Sequence, residues 1–193
     1  HAWLLPVPAS APDLVALVEP RLAPWERERL GRFSFERDRA LYAAAHGLIR
    51  MALSARYPSV PIDRWDLDRT PAGRPIVRAP VSGPLEVSLS HTRGLVACAV
   101  APMPVGIDVE AVDPGLDVGP LLERVLSPAE RATWPSDSDA GRFRFFRTWA
   151  VKEALLKGLG LGLGCEPNSV TIASEDPERP AVVAIPAEVG SAA

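Results

Sequence analysis

The chain of 193 residues carries 21 cationic and 24 acidic side chains, a formal net charge of −3 and 47% hydrophobic residues. That is ample for a core, in one domain or two small lobes, and the acidic balance argues against a generic nucleic-acid binder, which needs a basic excess. Cys98 and Cys165 form neither a Cys-x-x-Cys pair nor a Cys/His cluster, so no disulfide framework or zinc site is indicated. The longest apolar run, 95–105, is broken by Pro102 and Pro104 and is too short to span a bilayer, and no charged stretch followed by an apolar one opens the chain. A soluble, unexported, cytoplasmic protein with no membrane or nucleic-acid partner is expected.

Residues 2–7 read as a strand, and Ser10-Ala11-Pro12-Asp13 has the cap chemistry that starts a helix through Leu14, Leu17 and Val18. A second short helix is expected from about Pro24. Residues 35–57 place Leu41, Ala45, Leu48, Ile49, Ala52 and Leu53 at helical spacing, and Pro58 ends the run. Arg32, Arg37 and Arg39 stand just before and at its start, where the simplest reading is a solvated face. From 65 to 101 the pattern turns to strands at 65–68, 74–77, 87–89 and 95–100, with a Pro-Ala-Gly turn at 71–73. These predict a small antiparallel sheet covered by the long helix. Ser90-His91-Thr92-Arg93-Gly94 reads as the turn joining the last two strands. Its hydroxyls, imidazole and amides could hold a phosphate, although a lone His in a turn is more often merely exposed.

Val105-Gly106-Ile107-Asp108-Val109-Glu110 is rich in β-branched residues and reads as a strand, with Asp108 and Glu110 at i,i+2 on one face. Adjacent carboxylates repel, so a shared cation such as Mg²⁺ is one explanation. The polar face of a half-exposed strand is the other. Asp113-Pro114-Gly115 begins a linker, a helix is expected over 116–125, and Ser127-Pro128-Ala129-Glu130 spells a capping box. The next helix should run from about 140 through 157 and end near Gly158. Its last part holds Lys152 and Lys157, the only two lysines among the 21 cations. Glu153 and Lys157 at i,i+4 share a face, as in an ordinary surface ion pair, while Lys152 points about 100° away. The glycine run 158–164 leaves a helix and lacks Gly-Lys-Ser/Thr, so it reads as a flexible exit loop and not a phosphate loop. Residues 170–173 and 181–185 form a hairpin across a polar turn at 175–179, and no repeat relates the two halves.

Gly106 to Glu110 and Trp149 to Lys157 together resemble the signature of the 4′-phosphopantetheinyl transferases, in the larger two-lobed class that acts on carrier proteins of polyketide, nonribosomal peptide and fatty acid synthesis. The family pattern is Gly-Ile-Asp-x-Glu, then Trp-(Ser/Thr/Cys)-x-Lys-Glu-(Ser/Ala)-x-x-Lys, and Ala150 is the one departure. Gly73-Arg74-Pro75 and Val87-Ser88-Leu89-Ser90-His91-Thr92 match two minor motifs. The resemblance implies an α+β fold of two pseudo-symmetric lobes, each a small antiparallel sheet on a long helix. Residues 1–103 would be the lobe contacting the nucleotide of coenzyme A, and 104–193 the lobe of the metal and catalytic motifs. Strands usual after the hairpin are not seen in 186–193.

The implied reaction transfers 4′-phosphopantetheine from coenzyme A to a serine of an apo acyl or peptidyl carrier protein, releasing adenosine 3′,5′-bisphosphate, with the protein acting as a monomer. By resemblance, Asp108, Glu110 and Glu153 would hold Mg²⁺, and Glu153, directly or through water, would be the base. Lys157 would bind a phosphate oxygen or orient the serine, Lys152 would bind the pantetheinyl phosphate, and Trp149 would support the core. Arg39, Arg74, Ser90 and His91, with Arg32 a weaker candidate, would contact coenzyme A. The rivals are a non-catalytic coenzyme A or carrier-protein binding module and a Mg²⁺-dependent nucleotide pyrophosphohydrolase, for which no residue is placed to orient water. Residues 116–134 set Leu121, Leu122, Val125 and Leu126 among Arg124 and Arg131, either as a dock for an acidic carrier or as plain core.

Overall fold

In a computed structural model of the chain, residues 1–71, 73–78, 80–134, 139–161, 164–173 and 181–185 are described. The chain divides between Val109 and Glu110 into two compact units. No helix among the described residues is long and apolar enough to cross a membrane.

Alanine is the best helix former and the smallest side chain with a Cβ. Ala40, Ala44, Ala45 and Ala52 lie with Leu48, Ile49 and Leu53 on the buried face of α3, Glu36–Arg56. Small residues let this helix sit close against the sheet. The sheet runs β1–β5–β4, all antiparallel: β1 is Ala2–Pro6, β4 Glu86–Thr92 and β5 Leu95–Ala101. Alternation puts Val87 on the core face beside Val96, Cys98 and Val100. α1, Pro12–Val18, crosses α3 at Gly47, where a Cβ would lie 2.9 Å from Val18. Its N-cap is Ala11 with no side-chain cap; Ser10, expected in that role, donates instead to Glu36 at 3.1 Å.

The expected single sheet is two. β2, Asp66–Arg69, and β3, Pro75–Arg78, form a separate antiparallel ladder. Pro80, Gly83 and Pro84 separate β3 from β4, and proline cannot donate to a ladder.

α2, Pro24–Gly31, is joined to α3 by a buried polar cluster. The Glu26 carboxylate accepts from the Ala23 amide, from Arg50 and, in contact at Nδ1, meets His46. Tyr42 stacks on His46 with ring centres 4.2 Å apart. Burial would push the Glu26 carboxyl up, but the hydrogen bonds and charges of His46 and Arg50 outweigh it and hold the group below its ordinary 4.5. Between the two values the unfolded chain takes up the proton first. The stabilisation is therefore complete above about 4.5 and is lost as pH falls through the lower folded value. Glu26→Gln should accordingly flatten the acid limb of a melting temperature against pH curve, and an unchanged limb would dismiss this account.

In the second unit the capping box forms as spelled. Ser127 N–H donates to Glu130 at 2.7 Å and Glu130 N–H to Ser127 Oγ at 3.3 Å, opening α5, Pro128–Ala132. α6, Asp139–Gly158, carries Phe145 and Phe146 into a core with Val118, Val125 and Leu126. Trp149 packs edge-on to Phe145, in the supporting place expected of it. α6 ends in a Schellman motif: Leu161 N–H reaches Leu156 O, Gly160 N–H reaches Lys157 O, and Gly160 takes φ 73°.

The helix expected over 116–125 is only α4, Leu122–Val125, behind a 3₁₀ turn at Gly119–Leu121. Pro120 and two aspartate turns, Asp113 to the Gly115 amide and Asp117 to the Gly119 amide, claim the backbone before it. Val125 and Leu126 are buried, and Leu121 and Leu122 pack against them, so these residues are core and not a docking strip. β6, Thr171–Ala173, and β7, Ala181–Ala184, make the expected hairpin. Its turn at 175–179, residues 162 and 163 of the glycine run, and the tail 186–193 lie outside the described residues.

Candidate functional site

The segment expected to be a strand at 105–110 has no ladder. What holds it is side-chain chemistry from β4. Ser88 and Ser90 stand on the face opposite the α3 core, cross-strand from Ala99 and Ala97, and all four are buried. Such small neighbours let a backbone approach closely. Ile107 N–H donates to Ser88 Oγ at 3.1 Å, Val109 N–H donates to Ser90 Oγ at 3.3 Å, and Ser90 O–H donates to Asp108 Oδ1 at 2.7 Å. Two serine hydroxyls thus replace the ladder partner that the β-branched pattern suggested. Asp108 is half-buried.

The register also corrects the expected Ser90–Gly94 turn. β4 continues through Thr92, which pairs with Leu95, so only Arg93 and Gly94 turn, with Gly94 at φ 79°. Ser90 then faces the 107–109 segment, and His91, at the exposed end of the strand, is on the opposite face. Their side chains therefore leave the strand in opposite directions. Elsewhere in the first unit Arg74 pairs with Glu86 at 2.7 Å and Arg32 pairs with Glu28 one helical turn away. Arg39 is half-buried in the first turn of α3.

In the second unit Glu110 is exposed, and Glu153 and Lys157 are half-buried one turn apart on α6. Lys152 departs from expectation. It is 0% exposed, and its ammonium donates to Glu130 and to Val125 O at 2.5 and 2.7 Å. Glu130 also accepts from the Ile172 amide at 2.9 Å, so one carboxylate ties together α5, α6 and β6. Burial pulls the Lys152 amine below its ordinary 10.5, against Glu130, which raises it. This geometry gives Lys152 an internal partner in place of the pantetheinyl phosphate. The sequence held one clue, the capping-box Glu130, but a capping box satisfies two amides by itself and does not announce a lysine 22 residues away. Nothing in the sequence marks Glu86 as a partner of Arg74, and for Ser88 the one signal is spacing, Ser88-x-Ser90 matching Ile107-x-Val109.

Among the described residues no three His, Cys, Asp or Glu side chains are gathered as a metal-holding group. The donor chemistry nevertheless suits a hard cation: Mg²⁺ usually takes one or two carboxylates and completes its shell with phosphate oxygens and water. A carboxylate has about four acceptor sites, so Asp108, which accepts from Ser90 at Oδ1, can ligate a metal as well.

A family profile described as 4′-phosphopantetheinyl transferase superfamily matches residues 104–192, and one described as 4′-phosphopantetheinyl transferase, N-terminal, matches 9–103. Among curated proteins, 4′-phosphopantetheinyl transferase HetI of Nostoc sp. is 32% identical over 184 residues, 93% of this chain and 76% of the relative. The L-aminoadipate-semialdehyde dehydrogenase-phosphopantetheinyl transferase of Homo sapiens is 31% identical over 175 residues, 85% of this chain and 55% of the relative. The 4′-phosphopantetheinyl transferase of Bacillus subtilis is 28% identical over 153 residues, 78% of this chain and 66% of the relative. The chain thus spans about half the length of the human relative and three quarters of the Nostoc one.

Proposed function

This chain belongs to the 4′-phosphopantetheinyl transferase superfamily, and from that premise we propose that it transfers 4′-phosphopantetheine from coenzyme A to a serine of an apo acyl or peptidyl carrier protein. The observation that carries the reading is Asp108, the aspartate of the Gly-Ile-Asp-x-Glu motif, anchored through Ser90 at 2.7 Å. The serine oxygen attacks the phosphorus that bears pantetheine. A P–O bond forms there as the bridging P–O bond breaks, and the electron pair leaves on adenosine 3′,5′-bisphosphate. Glu153, directly or through a water, takes the serine proton.

Asp108, with Glu110 and Glu153 as further oxygen donors, would hold Mg²⁺, which when bound neutralises charge on the pyrophosphate. Lys157, half-exposed on the last turn of α6, would bind a phosphate oxygen or orient the serine; Lys152 is engaged by Glu130. Arg39, Arg74 and His91 would meet the phosphates of coenzyme A. Arg74 would have to be shared with, or released by, Glu86.

The decisive experiment incubates the protein with coenzyme A, Mg²⁺ and an apo carrier protein, then weighs the carrier by intact mass spectrometry. The carrier should gain one phosphopantetheine, and chelation of the metal should prevent it. A carrier of unchanged mass beside bound coenzyme A would point to a binding module, and coenzyme A cleaved without carrier gain to a hydrolase.

A further inference from the structure

Three hydrogen bonds bracket one residue. The amide before Asp108 ends on Ser88, the amide after it ends on Ser90, and the Asp108 carboxylate accepts from that same Ser90 hydroxyl. A hydroxyl has one proton and two lone pairs. Ser90 gives its proton to Asp108 and takes the Val109 N–H, so its capacity is directed at this segment and not at a phosphate. Both hydroxyls are buried, Ser88 at 5% and Ser90 at 7% exposure, so water competes poorly for them.

Resting on the metal reading above, we infer that Ser90 is a positioning residue for the Asp108 carboxylate: its hydroxyl selects the side-chain rotamer and fixes where Oδ1 points. Ser88 is its backbone counterpart and holds the segment without touching the carboxylate. A ligand placed loosely binds metal poorly, and the hydroxyl of Ser90 gives the Asp108 carboxylate a fixed point of attachment.

The test is Mn²⁺ binding by the full chain, read by electron paramagnetic resonance of free Mn²⁺, with and without coenzyme A. Groups that hydrogen-bond to ligating carboxylates typically change metal affinity by about 10–100-fold, and Ser90→Ala should lie in that range. Ser90→Thr, which keeps the hydroxyl and suits a strand, should restore most of the loss. Ser88→Ala should cost more in melting temperature than in Mn²⁺ affinity. Should Ser90→Ala fail to fold, Ser90→Cys keeps the volume with a weak donor and should show the same direction. Wild-type Mn²⁺ affinity in a folded Ser90→Ala or Ser90→Cys protein overturns the inference. So does an equal loss in Ser88→Ala, or a loss of metal-free coenzyme A affinity with Mn²⁺ binding intact, which would give Ser90 to a phosphate. A wild-type protein that binds no Mn²⁺ with or without coenzyme A overturns the metal reading itself.

Discussion

Asp108→Asn is expected to lower the rate of phosphopantetheine transfer by about 10²–10³-fold, the usual consequence of removing one group aimed at transition-state charge. The substitution is chosen for what it keeps. An asparagine oxygen still accepts from Ser90, and the Ile107 and Val109 amides still reach Ser88 and Ser90, so the segment stays tethered to β4. Melting temperature should therefore hardly move. Asp108→Ala removes the acceptor too and leaves a buried hydroxyl with nothing to donate to, so it should melt lower as well as react more slowly. Carrier mass against time at saturating and limiting Mg²⁺, beside a melting curve, separates the two. Full activity of Asp108→Asn at sub-millimolar Mg²⁺ would overturn the proposal that Asp108 holds a metal.

Lys152→Met should be the most damaging single change to stability. It strands the Glu130 carboxylate in the interior of the second unit, and breaking a buried pair from one side costs about 3–5 kcal/mol. For a chain of this size that lowers the melting temperature by about 6–20 °C. Replacing both partners, Glu130→Gln with Lys152→Met, should recover most of the loss. No unpaired charge remains, and the glutamine oxygen can still serve the Ser127 or Ile172 amide. The Lys152 amine is pulled below its ordinary value by the same burial, against the attraction of Glu130. Turnover per folded molecule, measured well below the melting point, should stay within reach of wild type in the double variant. A large fall in turnover with little change in melting temperature would instead return Lys152 to the phosphate of coenzyme A.

The two lysines show how far residue choice can be read. That only positions 152 and 157 carry an ammonium was visible at once, and it marked both as special. The reasons differ. Lys152 is enclosed, where its long stem crosses the core to reach a carboxylate on α5, whereas Lys157 stays half-exposed one helical turn beyond Glu153. An identical side chain five residues along the same helix faces a different environment because 3.6 residues per turn separates their directions.

What the chain dictated by itself were the pieces with short-range causes: α3 and α6 from their apolar period, the stop at Pro58, the Ser127–Glu130 box, the β4–β5 and β6–β7 hairpins, and the motif residues that place it in its family. Each depends on neighbours within a turn or a strand pair. Tertiary structure alone decided which groups meet. Asp108 finds Ser90 at 18 residues' remove, Lys152 finds Glu130 at 22, and Glu26 finds Arg50 at 24. It also made 105–110 a tethered coil, since β-branched residues state a preference for extended backbone but not whether a strand edge will be there to pair. The physical reason is common to all four: periodicity and capping are written in local backbone geometry, while the partner of a buried charge or hydroxyl is set by whatever the folded chain brings within hydrogen-bonding distance.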